Sequence, residues 1–530
     1  MILILFSKRI FLILLVVFKY ALLRTHMTED GKKIRLKNPL RCRLILQELG
    51  GVFTKFGQIL AMRFDLLPLA YATELLHLLD STEPIPNKEL FALFKKETGR
   101  NMGEVFETID EKPLATASFG QVYRGRYNGA EIVIKIQKPE VETLIRADMA
   151  ILWLFAPLVE ATGVLRAISI YEVLAQLKEW FQSELDYRVE AQNAETIGKH
   201  ANQHKLTEVS IPKIYPEFTT KKIIVEEFLP GIQIKKLFGS LQEQPVKTEE
   251  FLKQQDINLK EVADFFVRDL MRQYFIDKFF HADPHPANLM VFSNNKVGYL
   301  DFGIIGRPSY ENFDLLRFID GVSRADHDEA ADGIVSFAEQ RFRKEIGDTL
   351  GKDETVSAVY KKTLQFIKKR VTKDLRPILN EWYSATGDIT APMYNRSSAI
   401  TFFKMVRVLQ KYRIKFPPDV IAFIRTLVIV DMVCLKLSKD FNMITAIRTF
   451  FEKTPIAKVP GLATQHAREM SDLHDFDKFL ELEKATKDDI AAKKFIQEEK
   501  QYYAKEKFMI IVGALAEKYP ELYNDIKYII

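Results

Sequence analysis

Two short segments carry side chains that could handle a phosphate ester together with a divalent cation. His281-Ala282-Asp283-Pro284-His285-Pro286-Ala287-Asn288 sets an aspartate five residues before an asparagine, and Asp301-Phe302-Gly303 follows thirteen residues after Asn288. Asn288 and Asp301 offer hard oxygen ligands, which suit Mg²⁺ bridging phosphates. Asp283 could orient or deprotonate an attacking hydroxyl or water. Leu289 to Phe292 and Val297 to Leu300 read as a hairpin turned at Ser293-Asn294-Asn295. That hairpin would bring Asn288 and Asp301 to neighbouring strand ends.

The elements that must position these groups lie upstream. Pro113 to Arg126 and Glu131 to Gln137 read as strands joined at Tyr127-Asn128-Gly129. The first holds Ala115-Thr116-Ala117-Ser118-Phe119-Gly120-Gln121-Val122; the second holds Ile132-Val133-Ile134-Lys135, 15 residues after Gly120. Together the segments resemble the protein-kinase patterns G-x-G-x-x-G-x-V, V-A-I-K, H-x-D-x-x-x-x-N and D-F-G. Alanine stands for the first two loop glycines, so phosphate contacts should be altered rather than absent. Lys135 on such a strand points to solvent or reaches the α- and β-phosphates. Kinases pair that lysine with a helical glutamate. Tyr171 to about His200 reads as one long helix, and Glu184, Asp186 and Glu190 are the candidates on it. On an unbroken helix Asp186 and Glu190 share a face, with Glu184 nearly opposite Asp186. Lys222 to Phe228 reads as a further strand, with Glu226 and Phe228 as candidate nucleotide contacts.

With Lys55-Phe56-Gly57-Gln58 (K-x-G-Q) and Glu184-Leu185-Asp186 (E-x-D) added, the chain resembles the UbiB family of atypical kinases from about residue 40 to 310. The K-x-G-Q element is the most distinctive, because ordinary kinases lack it. The resemblance implies ATP and Mg as cofactors. Asp283, Lys135 and Glu190 would be catalytic, and Asn288 and Asp301 would hold the metal. Ala115, Ala117, Ser118, Phe119, Gly120, Val122, Lys135, Glu226 and Phe228 would bind the nucleotide. Lys55 and Gln58 would face Glu184 and Asp186 as a gate across the cleft where a protein substrate would dock, while Glu190 pairs with Lys135. The family is implicated in ubiquinone biosynthesis, acts at membranes, and shows ATPase activity rather than clear protein phosphorylation. Thr116 interrupts the alanine run and Ala287 stands where glycine is usual; neither removes a functional side chain. No A-P-E motif follows Gly303.

The 530 residues are 47% hydrophobic and 28% charged, which excludes a disordered chain. A net charge of +5 does not imply nucleic acid. Cys42 and Cys434 are too few for a disulfide framework or cysteine zinc site, and fit a reducing compartment. The uninterrupted apolar run Ile10 to Phe18 is short for a membrane span, and Phe508 to Ala516 is too short for a C-terminal anchor. Six basic residues and no acid lie between Lys32 and Arg43. Apolar segment plus basic patch is the two-signal pattern for an anionic cytoplasmic leaflet; a signal peptide and a plain core helix are the other readings.

The expected fold is α+β: a bilobal protein-kinase-like fold with an N-terminal helical extension and a mostly helical C-terminal lobe. Residues 1–30 form the apolar segment, 31–108 the helical extension, 109–230 the kinase-like N-lobe with inserted helices, and 231–530 the helical C-lobe and tail. Leu44 to Leu60 and Ala72 to Leu79 carry helical spacing, Ser81 to Pro86 ends a helix, and a charged tail helix falls near Lys478 to Lys507. The function expected is an Mg-dependent atypical kinase or ATPase at a membrane, supporting ubiquinone or related isoprenoid lipid biosynthesis with quinone-biosynthesis proteins or lipid as partners. The alternatives are a nucleotide-dependent scaffold without turnover and a small-molecule kinase of the aminoglycoside or choline kinase type, whose loops also resemble H-x-D-x-H-P-x-N.

Overall fold

The structure is a computed structural model. It describes the chain outside residues 1, 24, 28–32, 62–68, 76–77, 79–83, 117–118, 162–169, 309–312, 347–353, 413, 415, 455–508, 510–511, 513–515, 517 and 527–530. The tail helix expected near Lys478 to Lys507 lies outside the described residues. The chain divides into two compact units, Met1–Val262 with Phe280–Gly306, and Ala263–Phe279 with Arg307–Ile530.

The first unit opens with helix α1 (Ile2–Leu22), and a small hairpin of β1 (Thr25–Met27) and β2 (Lys33–Arg35) stands where helix was expected. Helices α2 (Asn38–Leu49) and α3 (Gly51–Ala61) replace the single helix expected over Leu44 to Leu60. Gly50 and Gly51 break it with φ of 65° and 51°, a conformation glycine adopts without the Cβ penalty. After α4 (Leu69–Leu75) come α5 (Asn87–Thr98) and α6 (Met102–Val105). Then β3 (Thr108–Ile109), β4 (Ala115–Thr116), β5 (Gly120–Tyr127), β6 (Ala130–Gln137) and, later, β8 (Ile223–Glu227) form an antiparallel sheet in the order β3-β5-β6-β8, with β4 on β5.

The strands β5 and β6 are joined by Asn128-Gly129, whose φ values of 49° and 76° fit the primed two-residue hairpin turn. Period-2 alternation then sorts the side chains. Tyr123, Ile132, Ile134, Ile136, Ile223 and Val225 pack against α5 in one core. Val122, Val133, Lys135, Ile224 and Glu226 fall on the opposite face, because directly paired residues share a face.

A second core is purely helical. Here α1, α2 and α3 pack with α7 (Val141–Ala161) and α8 (Ile170–Glu184) around Val16, Phe53, Ile145, Leu177 and Phe181. One buried ion pair pins it: Arg9 donates to both oxygens of Asp148, at 2.7 and 2.6 Å, and to the Leu49 carbonyl. Helix α9 (Tyr187–Gln203), β7 (Val209–Ser210), β9 (Ile232–Gln233), α10 (Ile234–Glu243) and α11 (Pro245–Gln254) lead to a four-stranded sheet. Its order is β7-β12-β11-β9, with β11 (Leu289–Val291) and β12 (Val297–Tyr299) as the expected hairpin. Before β11 in sequence lies β10 (Phe280–His281), which pairs with β13 (Ile305–Gly306).

The second unit holds most of α12 (Leu259–Phe275), then α13 (Phe313–Ser323), α14 (His327–Ile346), α15 (Glu354–Gly387), α16 (Met393–Arg396), α17 (Ser398–Lys411), α18 (Pro418–Leu437) and α19 (Met443–Lys453). Its core contains a polar knot. Asp431 on α18 accepts from the backbone N–H and hydroxyl of Ser398 at the start of α17, at 2.6 and 2.9 Å. The neighbouring Arg396 donates to the Lys439 and Phe441 carbonyls at 2.7 Å each.

Candidate functional site

The lysine expected to hold phosphates is held by two acids. Lys135 Nζ lies 2.8 and 2.9 Å from the two oxygens of Glu190 and 3.4 Å from Asp301 Oδ2. Strand β6 presents the lysine on the open face of the sheet, and Glu190, only 5% exposed, faces it from the first turn of α9. Burial acts to lower the pKa of the ammonium. Asp301 and Glu190 more than offset that and hold its pKa well above the usual lysine range.

The hairpin β11–β12 does what its spacing implied. Leu300 N–H donates to the Asn288 carbonyl at 2.8 Å, which sets Asn288 and Asp301 at adjacent strand ends. The Asn288 amide donates to Asp283 Oδ2 at 3.0 Å and to the Asp283 carbonyl at 3.1 Å. Its NH₂ is thereby directed at Asp283, and its oxygen remains as a hard ligand. Asp301 has φ of 57°, unusual for a residue with a Cβ, and Gly303 N–H donates to its Oδ1 at 3.2 Å. Asn193 on α9 donates to the Phe302 carbonyl at 2.9 Å, and the fully buried Phe302 ring packs edge-on against His281. His281 in turn bonds the Leu300 carbonyl at 3.0 Å. These contacts fix the backbone that aims Asp283, Asn288 and Asp301.

The E-x-D segment required correction. It is not inside a helix: α8 stops at Glu184, and Asp186 caps α9 by accepting from Arg188 N–H at 3.1 Å. The Asp186 carboxylate is also clasped by the Arg188 side chain at 2.9 and 2.6 Å. That leaves Glu184 as the acid on the site side. Its Oε1 is 3.5 Å from where a Cβ would stand on Gly303. Burial pushes its carboxyl up to about 7, with the Lys55 ammonium pulling the other way and Asp301 adding to the rise. Lys55, on α3, sits 5.4 Å from the Trp180 ring centroid and also draws Asp301 down. So the expected facing of Lys55 with both acids reduces to Glu184; Asp186 is occupied by Arg188. The Gln58 side chain lies outside what the structure describes.

Of the nucleotide candidates, Ala117 and Ser118 lie outside the described residues. Ala115, Val122 and Gly120 line β4 and β5, with Ala115 paired to Val122 and Val122 to Lys135. Phe119 does not face the cleft: its ring is buried in the helical core, edge-on to Phe181 at 5.8 Å. An aromatic in a loop beside an apolar helical layer is drawn into that layer. Phe228 follows β8 with the Arg124 guanidinium 4.2 Å over its ring. Burial pushes Glu226 up to about 7 and Glu190 up to about 8, each opposed by Lys135. The sequence reading missed Tyr187, which is 3% exposed and whose ring carries the Lys135 ammonium at 4.9 Å. No spacing rule marks it; only its place one residue after a capping aspartate does.

Among the described residues no group of three or more His, Cys, Asp or Glu side chains could by itself hold a metal. Two oxygen donors, Asn288 and Asp301, still fit Mg²⁺, which keeps waters and takes substrate phosphates as its remaining ligands.

The ABC1 atypical kinase-like domain matches residues 77–332. The chain is 32% identical over 320 residues to ACTIVITY OF BC1 COMPLEX KINASE 8, a chloroplastic protein of Arabidopsis thaliana, covering 58% of this chain and 40% of that one. It is 27% identical over 425 residues to the probable protein kinase UbiB of Azotobacter vinelandii, covering 78% and 71%. It is 34% identical over 291 residues to the probable protein kinase UbiB of Pseudomonas putida, covering 54% and 51%. It also resembles the chain in a solved Mycobacterium tuberculosis complex with erythromycin, at 20% identity and a TM-score of 0.45, over 78% of this chain and 95% of that one. The aligned stretch thus spans well under two thirds of the plant protein and about half of the Pseudomonas putida one. The class defined is an α+β, atypical kinase-like protein. Residues 77–332 match the ABC1 atypical kinase-like domain, and the similarity extends to proteins named UbiB.

Proposed function

We propose that the chain binds ATP with Mg²⁺ and turns it over as an atypical kinase or ATPase at a membrane surface. The observation that carries this is the Lys135–Glu190–Asp301 cluster, set beside an Asp283–Asn288 pair in the loop that enters the β11–β12 hairpin. In this reading Lys135 holds phosphates, Asn288 and Asp301 hold Mg²⁺, and Asp283 orients the attacking hydroxyl or water. The metal neutralises charge on the phosphates. Lys55 and Glu184 close the front of the site beside Gly303. The resemblance to the UbiB family directs the activity toward ubiquinone or a related isoprenoid lipid. Mg²⁺-dependent ATP hydrolysis by the purified chain tests it. Turnover that vanishes in Asp301→Asn supports the proposal; turnover unchanged in that variant defeats it. Tight Mg-ATP binding without hydrolysis would favour the scaffold.

The membrane part rests on α1. One face, with Val16 and Tyr20, is buried in the helical core, while Phe11, Leu14, Leu15, Phe18 and Leu22 stand exposed at helical spacing. Among the described residues no helix is long and apolar enough to cross a membrane, so α1 would lie in the interface with its exposed apolar stripe toward lipid. Replacing Leu14 and Phe18 by Gln should cut co-sedimentation with anionic liposomes about tenfold while shifting stability by less than about 1 kcal/mol. Undiminished co-sedimentation would remove α1 from the proposal.

A further inference from the structure

The alanine-bearing loop and helix α9 meet at one side chain. Tyr187 opens α9 directly after its cap, and its ring is almost wholly buried. A Cβ added to Gly120 would come within 2.6 Å of the Tyr187 hydroxyl and 2.9 Å of the Ile136 carbonyl oxygen. The hydroxyl therefore reaches the start of β5, where the loop ends. On the other side the Lys135 ammonium lies 4.9 Å from the centre of the same ring. A single phenol is thus wedged between the loop and the lysine that face a nucleotide's phosphates.

We infer that the Tyr187 hydroxyl is a phosphate-binding group, donating to a phosphate oxygen of the nucleotide beside Gly120 and Ala115, where alanine replaces a close-approach glycine. The inference rests on the nucleotide reading of the cleft. Three features give it its chemistry. The Ala115 methyl holds phosphates off the loop amides that glycine would let them touch. Burial pushes the phenol above its ordinary range, with Lys135 opposing, so the group keeps its proton and acts as a donor. The nearby ammonium then supplies the charge that draws an anion to the donor, a pairing preorganised by the ring's fixed position. Gly120 also gains a specific role: a side chain there would collide with this hydroxyl and with the β6 backbone.

The test compares Mg-ATP, Mg-ADP and adenosine binding to the full chain and to Tyr187→Phe by titration calorimetry. The variant keeps the ring and its contact with Lys135. We expect Mg-ATP and Mg-ADP to bind about tenfold more weakly, the effect of one hydrogen bond to a charged group, with adenosine unchanged. Unchanged Mg-ATP affinity overturns the inference. So does equal weakening of all three ligands, which would assign Tyr187 to packing alone. Failure of the unaltered chain to bind any of the three would instead overturn the nucleotide reading itself, and this assignment with it.

Discussion

Acids are buried in both units, and they meet the same desolvation in opposite ways. In the second unit Asp431 is wholly buried, pushed up to about 6 by burial, and bonded to the end of α17 through Ser398. Its carboxylate is used by the fold. In the first unit Glu184, Glu190 and Glu226 are pushed to between about 7 and about 8 around one lysine, while Asp301, about half exposed, is drawn below the usual range. Its burial opposes the drop, and Lys135 and the Gly303 N–H overcome it. The difference teaches where to look for ligand chemistry. An acid whose bonds end on backbone holds structure; acids crowded onto a shared cation beside an open face hold a site.

The largest expected effect separates the two groups outright. Lys135→Met should reduce ATP turnover by about a thousandfold, on the order of 4 kcal/mol of barrier, while the melting temperature moves by only a few degrees, because the crowded acids can take up protons. A melting loss as large as that of Asp431→Ala would break the comparison. That second variant strands the Ser398 N–H and hydroxyl and should lower stability by about 3 kcal/mol. Denaturant titration measures the loss, and Mg-ATP affinity of the folded variant should be unchanged.

The smallest effect concerns pH. Glu184 and Glu226 have folded values near 7, above the 4.5 of a free glutamate. Each keeps a proton in the fold that the unfolded chain has already released. Their contribution to stability is thus full below about pH 4.5 and is lost as pH rises through about 7. Melting curves between pH 5 and 8 should fall, and Glu184→Gln should fall less, by about 1 kcal/mol or roughly 2–4 °C. Parallel curves for the two proteins would show that Glu184 does not titrate there.

Much of the site was legible in the sequence because its parts are local. The β5–β6 hairpin follows from alternation and an Asn-Gly turn. The Asn288–Asp301 pairing follows from a short hairpin with Asn294 and Asn295 at its tip, both with positive φ. The breaks were harder. Gly50-Gly51 and Asp186 interrupt runs whose apolar spacing continues across them, so periodicity alone carried the helix through both. Asp186 was readable as a cap, since aspartate accepts from the first-turn N–H groups. The inward turn of Phe119 was not readable, because the helical core that takes its ring is assembled from α1, α3, α7 and α8.

The Arg9–Asp148 pair joins residues 139 positions apart. During synthesis, at roughly 5–20 residues per second, α1 therefore waits about 7–28 s before its buried partner exists. Over that interval the face that will later hold Val16 is open along with the outer stripe, and the guanidinium has no carboxylate to receive it. The nascent chain is then apolar on both sides of α1, a form more adhesive than the finished protein. Helix α1 is thus among the last pieces of the helical layer to settle.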